Sequence, residues 1–155
     1  MAPPRGELSL DSTDKAIIEQ LQQDGRRPYT HIAREVGLSE AAVRQRVQRL
    51  IDGKVMQIVA VTDPFKIGFG RQAMIGIRVE GDVMKAADAV AALDEVEYVV
   101  VTAGSLDLLV EVLVEDDDRL LELLNTQIRR IKGIHVMESF LYLRIHKETY
   151  QFGTR

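Results

Sequence analysis

The chain contains no cysteine, which excludes a disulfide framework, a zinc ribbon and thiol chemistry. It also lacks a long apolar run, and none approaches the ~20 residues that span a bilayer. Its opening residues, Met-Ala-Pro-Pro-Arg-Gly, lack the basic start and apolar core of a secretory signal. These absences lead us to expect a cytoplasmic protein. What is present fits a globular chain: 155 residues, 46% apolar and 28% charged. That length holds one ordinary domain or two small ones.

The net charge of −4 argues against a nucleic-acid binder until it is resolved along the chain. Residues 1–62 carry a net of +1 and residues 63–155 a net of −5. Within residues 26–54, seven basic side chains face only Glu35, Glu40 and Asp52. One basic segment on an acidic protein points to phosphate there and to another task elsewhere.

After an arm containing Pro3, Pro4 and Gly6, Asp11 precedes a helical pattern with Ile17, Ile18 and Leu21 on one face. A second helix fits Thr30 to Val36, with Thr30 as N-cap and Gly37 as stop. Ser39 caps a third, Glu40–Ile51, whose Val43, Val47 and Leu50 face inward. The last two helices are joined only by Gly37-Leu38-Ser39, a helix-turn-helix layout.

Residues 55–62 read as a strand, and Asp63-Pro64 with Gly68-Phe69-Gly70 mark a boundary. Beyond it Gln72–Glu80 alternates as a strand does. Val83, Ala86, Ala87, Val90 and Leu93 make a helical stripe, and Val96–Ala103 is a β-branched run. Leu108, Val110, Val112 and Val114 alternate. A second helix carries Leu120, Leu121, Leu124, Ile128 and Ile131, capped by Asp116-Asp117-Asp118, and a last strand runs from Ile134 to about Ile145. This is the ferredoxin-like order βαββαβ. The fold class is therefore α+β: a helix-turn-helix domain at 8–54, a linker strand and hinge at 55–70, a ferredoxin-like domain at 71–148 and a tail at 149–155. Tyr150 and Phe152 in that tail either pack on a neighbouring subunit or stay mobile. The bare face of such a sheet is apolar or small here, so a homodimer is expected.

A helix in the major groove keeps its apolar stripe inward and presents polar side chains outward. On a 100° wheel, Ala41, Arg44, Gln45, Gln48 and Arg49 lie opposite Val43, and Arg and Gln can read guanine and adenine edges. Arg46 borders the stripe and could reach phosphate, as could Arg26, Arg27 and Arg34. The N–H groups at Ser39, Glu40 and Ala41 offer a further phosphate site. The bland alternative is a solvated basic face.

Leu10-Asp11 with Asp14, Asp24-Gly25-Arg26, Ile32-Ala33, Gly37-Leu38-Ser39, Arg46-Val47, Arg49-Leu50, Asp63-Pro64 and Gly68 follow one another as in the leucine-responsive regulatory protein (Lrp/AsnC) family, which the chain resembles over residues 8–148. Gly104-Ser105-Leu106-Asp107 is similar to that family's Gly-x-x-Asp signature. Two departures stand out: Leu106 replaces a frequent aromatic residue, and the glycine after the third helix comes one place early, as Gly53 before Lys54. The resemblance implies a nucleoid-associated transcription regulator that binds double-stranded DNA and forms homodimers, commonly assembled as an octamer of four dimers. It also implies an amino-acid effector between dimers, bounded by Val101, Thr102, Gly104, Ser105 and Asp107 with Met137, Ser139 and Phe140 opposite.

The chemistry suits such a ligand: Asp107 can accept from an ammonium, and the Gly104-Ser105 turn can offer N–H groups. The alternative is a plain hairpin, with Gly104 at positive φ and Asp107 making a local turn bond. No cofactor and no metal site are expected. Two rivals from other classes are a ligand-independent DNA-packing oligomer and an enzyme like the sirohaem decarboxylases, which share the fold. The three histidines, His31, His135 and His146, lie in no recognisable catalytic or metal pattern.

Overall fold

The computed structural model describes residues 9–155, so Leu8 and most of the expected arm lie outside the described residues. The chain divides into two compact units. One runs up to Val61 and includes Lys147–Arg155, and the other is Thr62–His146. The boundary falls inside the segment expected as a linker, and the tail belongs to the first unit.

In the first unit α1 spans Ser12–Gln23. Asp11 accepts the Asp14 N–H at 2.7 Å and Asp14 accepts the Asp11 N–H at 3.2 Å, a reciprocal capping box. The second helix, α2, is Tyr29–Val36, one residue longer than expected. Its N-cap is Pro28 rather than Thr30, whose place is the first turn. The Pro28 carbonyl takes the N–H groups of His31 and Ile32, and proline's fixed φ suits a helix start. Gly37, at φ 69°, ends it. Helix α3 is Glu40–Asp52, with Ser39 Oγ accepting from the Ala42 N–H at 3.2 Å. Ile17, Leu21, Ile32, Ala33, Val43 and Val47 close the core between the three helices. At the far end of the chain, the Gly153 N–H donates to Gln22 Oε1 at 2.9 Å and Thr154 Oγ1 to Glu19 Oε1 at 2.5 Å, both on α1. Phe152 is left largely exposed beside them.

The expected strand at 55–62 does not form. A strand exists only by pairing its backbone, and alternating valines cannot supply a partner. Ile58, Val59 and Val61 are exposed instead.

The second unit contains β1 (Arg71–Val79), α4 (Val83–Ala91), β2 (Val96–Val101), β3 (Leu108–Val114), α5 (Asp117–Glu122) and β4 (Ile134–Leu141). All pairings are antiparallel and the sheet order is β2-β3-β1-β4. The last strand stops at Leu141, not Ile145. Ala73, Ile75 and Ile77 of β1 and Leu108, Val110, Val112 and Val114 of β3 meet Ala86, Ala87 and Val90 of α4 in one core. Each fully buried aliphatic there contributes ~1.5–3 kcal/mol. Asp116 caps α5 by accepting from the Arg119 N–H. The helix then widens into a π turn, Leu123–Gln127, and a 3-10 turn, Ile128–Arg130. Leu120, Leu124, Ile128 and Ile131 of the expected stripe pack on the core across this wider turn. Leu123 and Ile128 become the fully buried pair, while Leu121 is exposed.

Candidate functional site

The outward face of α3 carries the polar side chains that the wheel assigns to it. Val43, Val47 and Leu50 are buried. Ala41, Arg44, Gln45, Gln48 and Arg49, joined by Asp52 and Gly53, line one shallow concave surface. Arg44 Nη2 donates to Glu40 Oε1 at 2.8 Å, and its guanidinium carbon lies 5.2 Å from the ring centre of Tyr29. Gln48 Nε2 donates to Asp52 Oδ1 at 2.8 Å. The exposed N–H end of the helix lies at Ser39, Glu40 and Ala41. Arg26 and Arg34 are exposed. Arg27 is turned back onto α1, donating to Gln20 and Gln23.

Two arginines have partners that the wheel does not reveal. Asp14 is fully buried, and its carboxylate receives Arg46 Nη1 at 2.8 Å and Arg49 Nη2 at 2.5 Å. Arg46 also bonds Asp11 at 2.6 Å. The N–H of Asp14, first, and the Arg46 guanidinium, second, hold the Asp11 carboxyl below its ordinary range. Asp11 and Asp14 in turn raise Arg46. These contacts fasten α3 to α1, so Arg46 and Arg49 have a structural task in addition to any phosphate contact. Asp14 and Tyr29 lie outside the sequence-derived set. Spacing carried no sign of either, because each meets α3 only through the fold.

The Gly-x-x-Asp turn is tied into the sheet. Thr102 Oγ1 donates to the Leu106 carbonyl at 2.6 Å, and the Thr102 N–H donates to the Asp107 carbonyl. The Asp107 N–H donates to the Ile77 carbonyl, while Asp107 Oδ2 accepts from the Val79 N–H at 2.8 Å. Arg78, which sequence reasoning passed over, donates Nη2 to the Ser105 carbonyl at 2.7 Å. Gly104 does not adopt a positive φ, contrary to the hairpin expectation, and a Cβ there would meet nothing within 4 Å. Leu106 instead lies over Gly76, where a Cβ would come 2.7 Å from Leu106 Cδ1.

Val101 ends β2, whereas Met137, Ser139 and Phe140 lie on β4 at the opposite edge of the sheet. A single chain therefore does not gather the expected effector residues. Ser139 pairs with Ile75 and Phe140 with Met74, so successive side chains take opposite faces. The register shifts at Gly76/Ile77, which leaves Met137 as the extra residue of a bulge. It is exposed.

The face of the sheet away from the helices carries Met74, Leu109, Val100, Tyr98 and Phe140. Among them is a polar group: Gln72 Nε2 donates to Glu111 Oε1 at 3.0 Å. Burial, and then its hydrogen bond to Glu111, push the Tyr142 hydroxyl up to about 12. Among the described residues, no three His, Asp or Glu side chains gather as a metal site requires, and no helix is long and apolar enough to cross a membrane.

Residues 10–51 match the AsnC-type helix-turn-helix domain and residues 72–152 the Lrp/AsnC ligand binding domain. An HTH-type transcriptional regulator of Pyrococcus furiosus is 35% identical over 143 residues, covering 91% of this chain and 97% of that protein. The proline dehydrogenase transcriptional activator of Rhizobium radiobacter is 30% identical, covering 90% and 93%. A transcriptional regulator of Neisseria meningitidis, solved as a complex with L-methionine, superposes with a TM-score of 0.80 at 24% identity, covering 92% of this chain and 96% of that one. The names of these relatives speak for regulation of transcription rather than for DNA packing or a decarboxylase.

Proposed function

This chain belongs to the Lrp/AsnC family of DNA-binding transcriptional regulators, and from that membership we propose how it reads its sites and what it senses. Helix α3 lies in the major groove, with Arg44, Gln45 and Gln48 on base edges and Arg26, Arg34 and the N–H groups at Ser39–Ala41 on phosphate. The observation that carries this is the division of α3 into a buried apolar stripe and an open face of donors and acceptors. The protein acts in the cytoplasm on the nucleoid, without a cofactor.

It works as a homodimer, in which a second copy covers the apolar sheet face around Met74, Leu109 and Val100. Two α3 helices then meet half-sites one helical turn, or a multiple of it, apart. Four dimers assemble into an octamer. An amino acid binds between dimers, where the turn of one copy meets Met137, Ser139 or Phe140 of another. Support comes from Gly104. Neither its φ nor any crowding requires a glycine there, and its open side admits a ligand close to the backbone. The L-methionine complex of the Neisseria regulator supports the ligand class. A carboxylate has about four acceptor positions, so the Val79 bond leaves Asp107 able to take an ammonium as well.

The test is binding of the purified protein to DNA upstream of its own gene and to a scrambled fragment, across a salt series and with an amino-acid panel. Preferential binding that falls steeply with salt is expected. Replacing Arg44, Gln45 and Gln48 together with Ala should abolish preference while the oligomer persists. Preference that survives would place the reading surface elsewhere.

A further inference from the structure

The side chains on the open face of α3 are not held alike. Arg44 leaves the helix within its second turn and is gripped from two elements. Glu40, one turn earlier, accepts from Nη2 at 2.8 Å. On another side lies the ring of Tyr29, the first residue of α2, with 5.2 Å from its centre to the guanidinium carbon. That is within the ~6 Å at which an aromatic face attracts a cation. The Arg44 side chain nevertheless remains 65% exposed.

This arrangement suits base reading for three reasons. A guanidinium carries five N–H donors in a fixed fork, so the Glu40 bond leaves an edge for O6 and N7 of guanine. A long side chain already confined by a ring and a carboxylate loses less freedom when it binds. Glu40 would be repelled by phosphate on its own, but Arg44 offsets its charge, and its carboxylate can still accept from N4 of a cytosine.

Resting on the reading of α3 as the major-groove helix, we propose that Tyr29 is a positioning residue. Its ring and Glu40 preset Arg44 for a guanine and commit one position of each half-site to a G·C pair. The ring acts here, not the hydroxyl.

The experiment is selection from a random duplex pool by the full-length protein, with Tyr29→Phe, Tyr29→Leu and Arg44→Ala beside it. Wild type should enrich a motif with a guanine that Arg44→Ala loses. Tyr29→Leu should weaken preference at that same position by about two- to fivefold, the range of an exposed cation–π contact, and leave the other positions alone. Tyr29→Phe should keep it. The salt dependence of all three Tyr29 proteins should match, since no phosphate contact is altered. Tyr29 also packs against the core of its unit, so Tyr29→Met repeats the test if Tyr29→Leu does not fold.

A phenylalanine variant as poor as the leucine one would assign the effect to the hydroxyl and overturn the proposal. So would a guanine preference untouched by Tyr29→Leu, while the groove reading would stand. If wild type enriched no motif at all, the reading of α3 would itself fail.

Discussion

The carboxylate of Asp14, with no surface of its own exposed, receives the guanidinium of Arg49 at 2.5 Å across the gap between α1 and α3. Arg46 reaches the same carboxylate at 2.8 Å. The strand of charge along α3 is thus partly consumed in fixing the helix to its own domain. On the proposed reading, what α3 has left for DNA is concentrated at Arg44 and the glutamines beside it.

Replacing Asp14 with Ala leaves two partly buried arginines without their shared acceptor. Stability should fall by roughly 2–3 kcal/mol, at or just below the lower end of what breaking a buried pair costs, because both arginines keep some water. Urea unfolding monitored by helical signal gives the number. A loss below about 0.5 kcal/mol would make the network ornamental.

Lys54 has φ 55°, a left-handed backbone that side chains other than glycine's rarely accept. It follows Gly53, which sits at an ordinary φ of −74°. The glycine is therefore one place too early to relieve the turn. Lys54→Gly should raise stability by roughly 0.5 kcal/mol, the strain relief being partly offset by glycine's greater freedom when unfolded. A drop in melting temperature would show that the lysine side chain contributes more than its backbone costs.

Tyr142 ionises near 12 in the folded protein, against an ordinary 10.0. A raised value means that the folded state keeps its proton longer than the unfolded one. Its contribution to stability is complete below about pH 10 and is lost as pH rises through about 12. Phenolate absorbance should therefore show one late-titrating tyrosine, absent in Tyr142→Phe. The same variant should flatten the fall of stability over that window. A Tyr142→Phe curve with the wild-type slope would place the effect elsewhere.

Asp107 serves the turn through the Val79 N–H and, on our proposal, the effector through its charge. The two tasks separate chemically. Asp107→Asn keeps an acceptor and should preserve stability to within about 0.5 kcal/mol, whereas Asp107→Ala should cost about 1 kcal/mol. Both should abolish the response to an amino acid in the DNA-binding assay. Asn responding at the wild-type concentration would mean that the charge is not used.

The parts legible in the sequence are those governed by short periods. Val43, Val47 and Leu50 told which side of α3 is buried, and Arg44, Gln45 and Gln48 are exposed as a consequence. Alternation in Gln72–Glu80 and Leu108–Glu115 located the two central strands to within a residue. Contacts made only by folding were illegible. Asp14 and Arg49 are 35 residues apart, and nothing in either neighbourhood announces the other. Residues 55–62 misled because their pattern describes side chains, while a strand depends on a second backbone. Four members of the stripe from Leu120 to Ile131 pack on the core; Leu121 is exposed, and Leu123, which the stripe omitted, is fully buried at the start of the π turn.

The bonds from Gly153 and Thr154 to α1 make the reading unit discontinuous. Its helices come early in the chain, but one of its contacts spans 131 residues. On the ribosome, α1, α2 and α3 emerge long before those last partners exist, and all of residues 62–146 must be made in between. The first unit to appear is therefore the last to be completed. A fault in the later-made sheet would leave the earlier helices short of their closing bonds, even with every residue of α1, α2 and α3 intact.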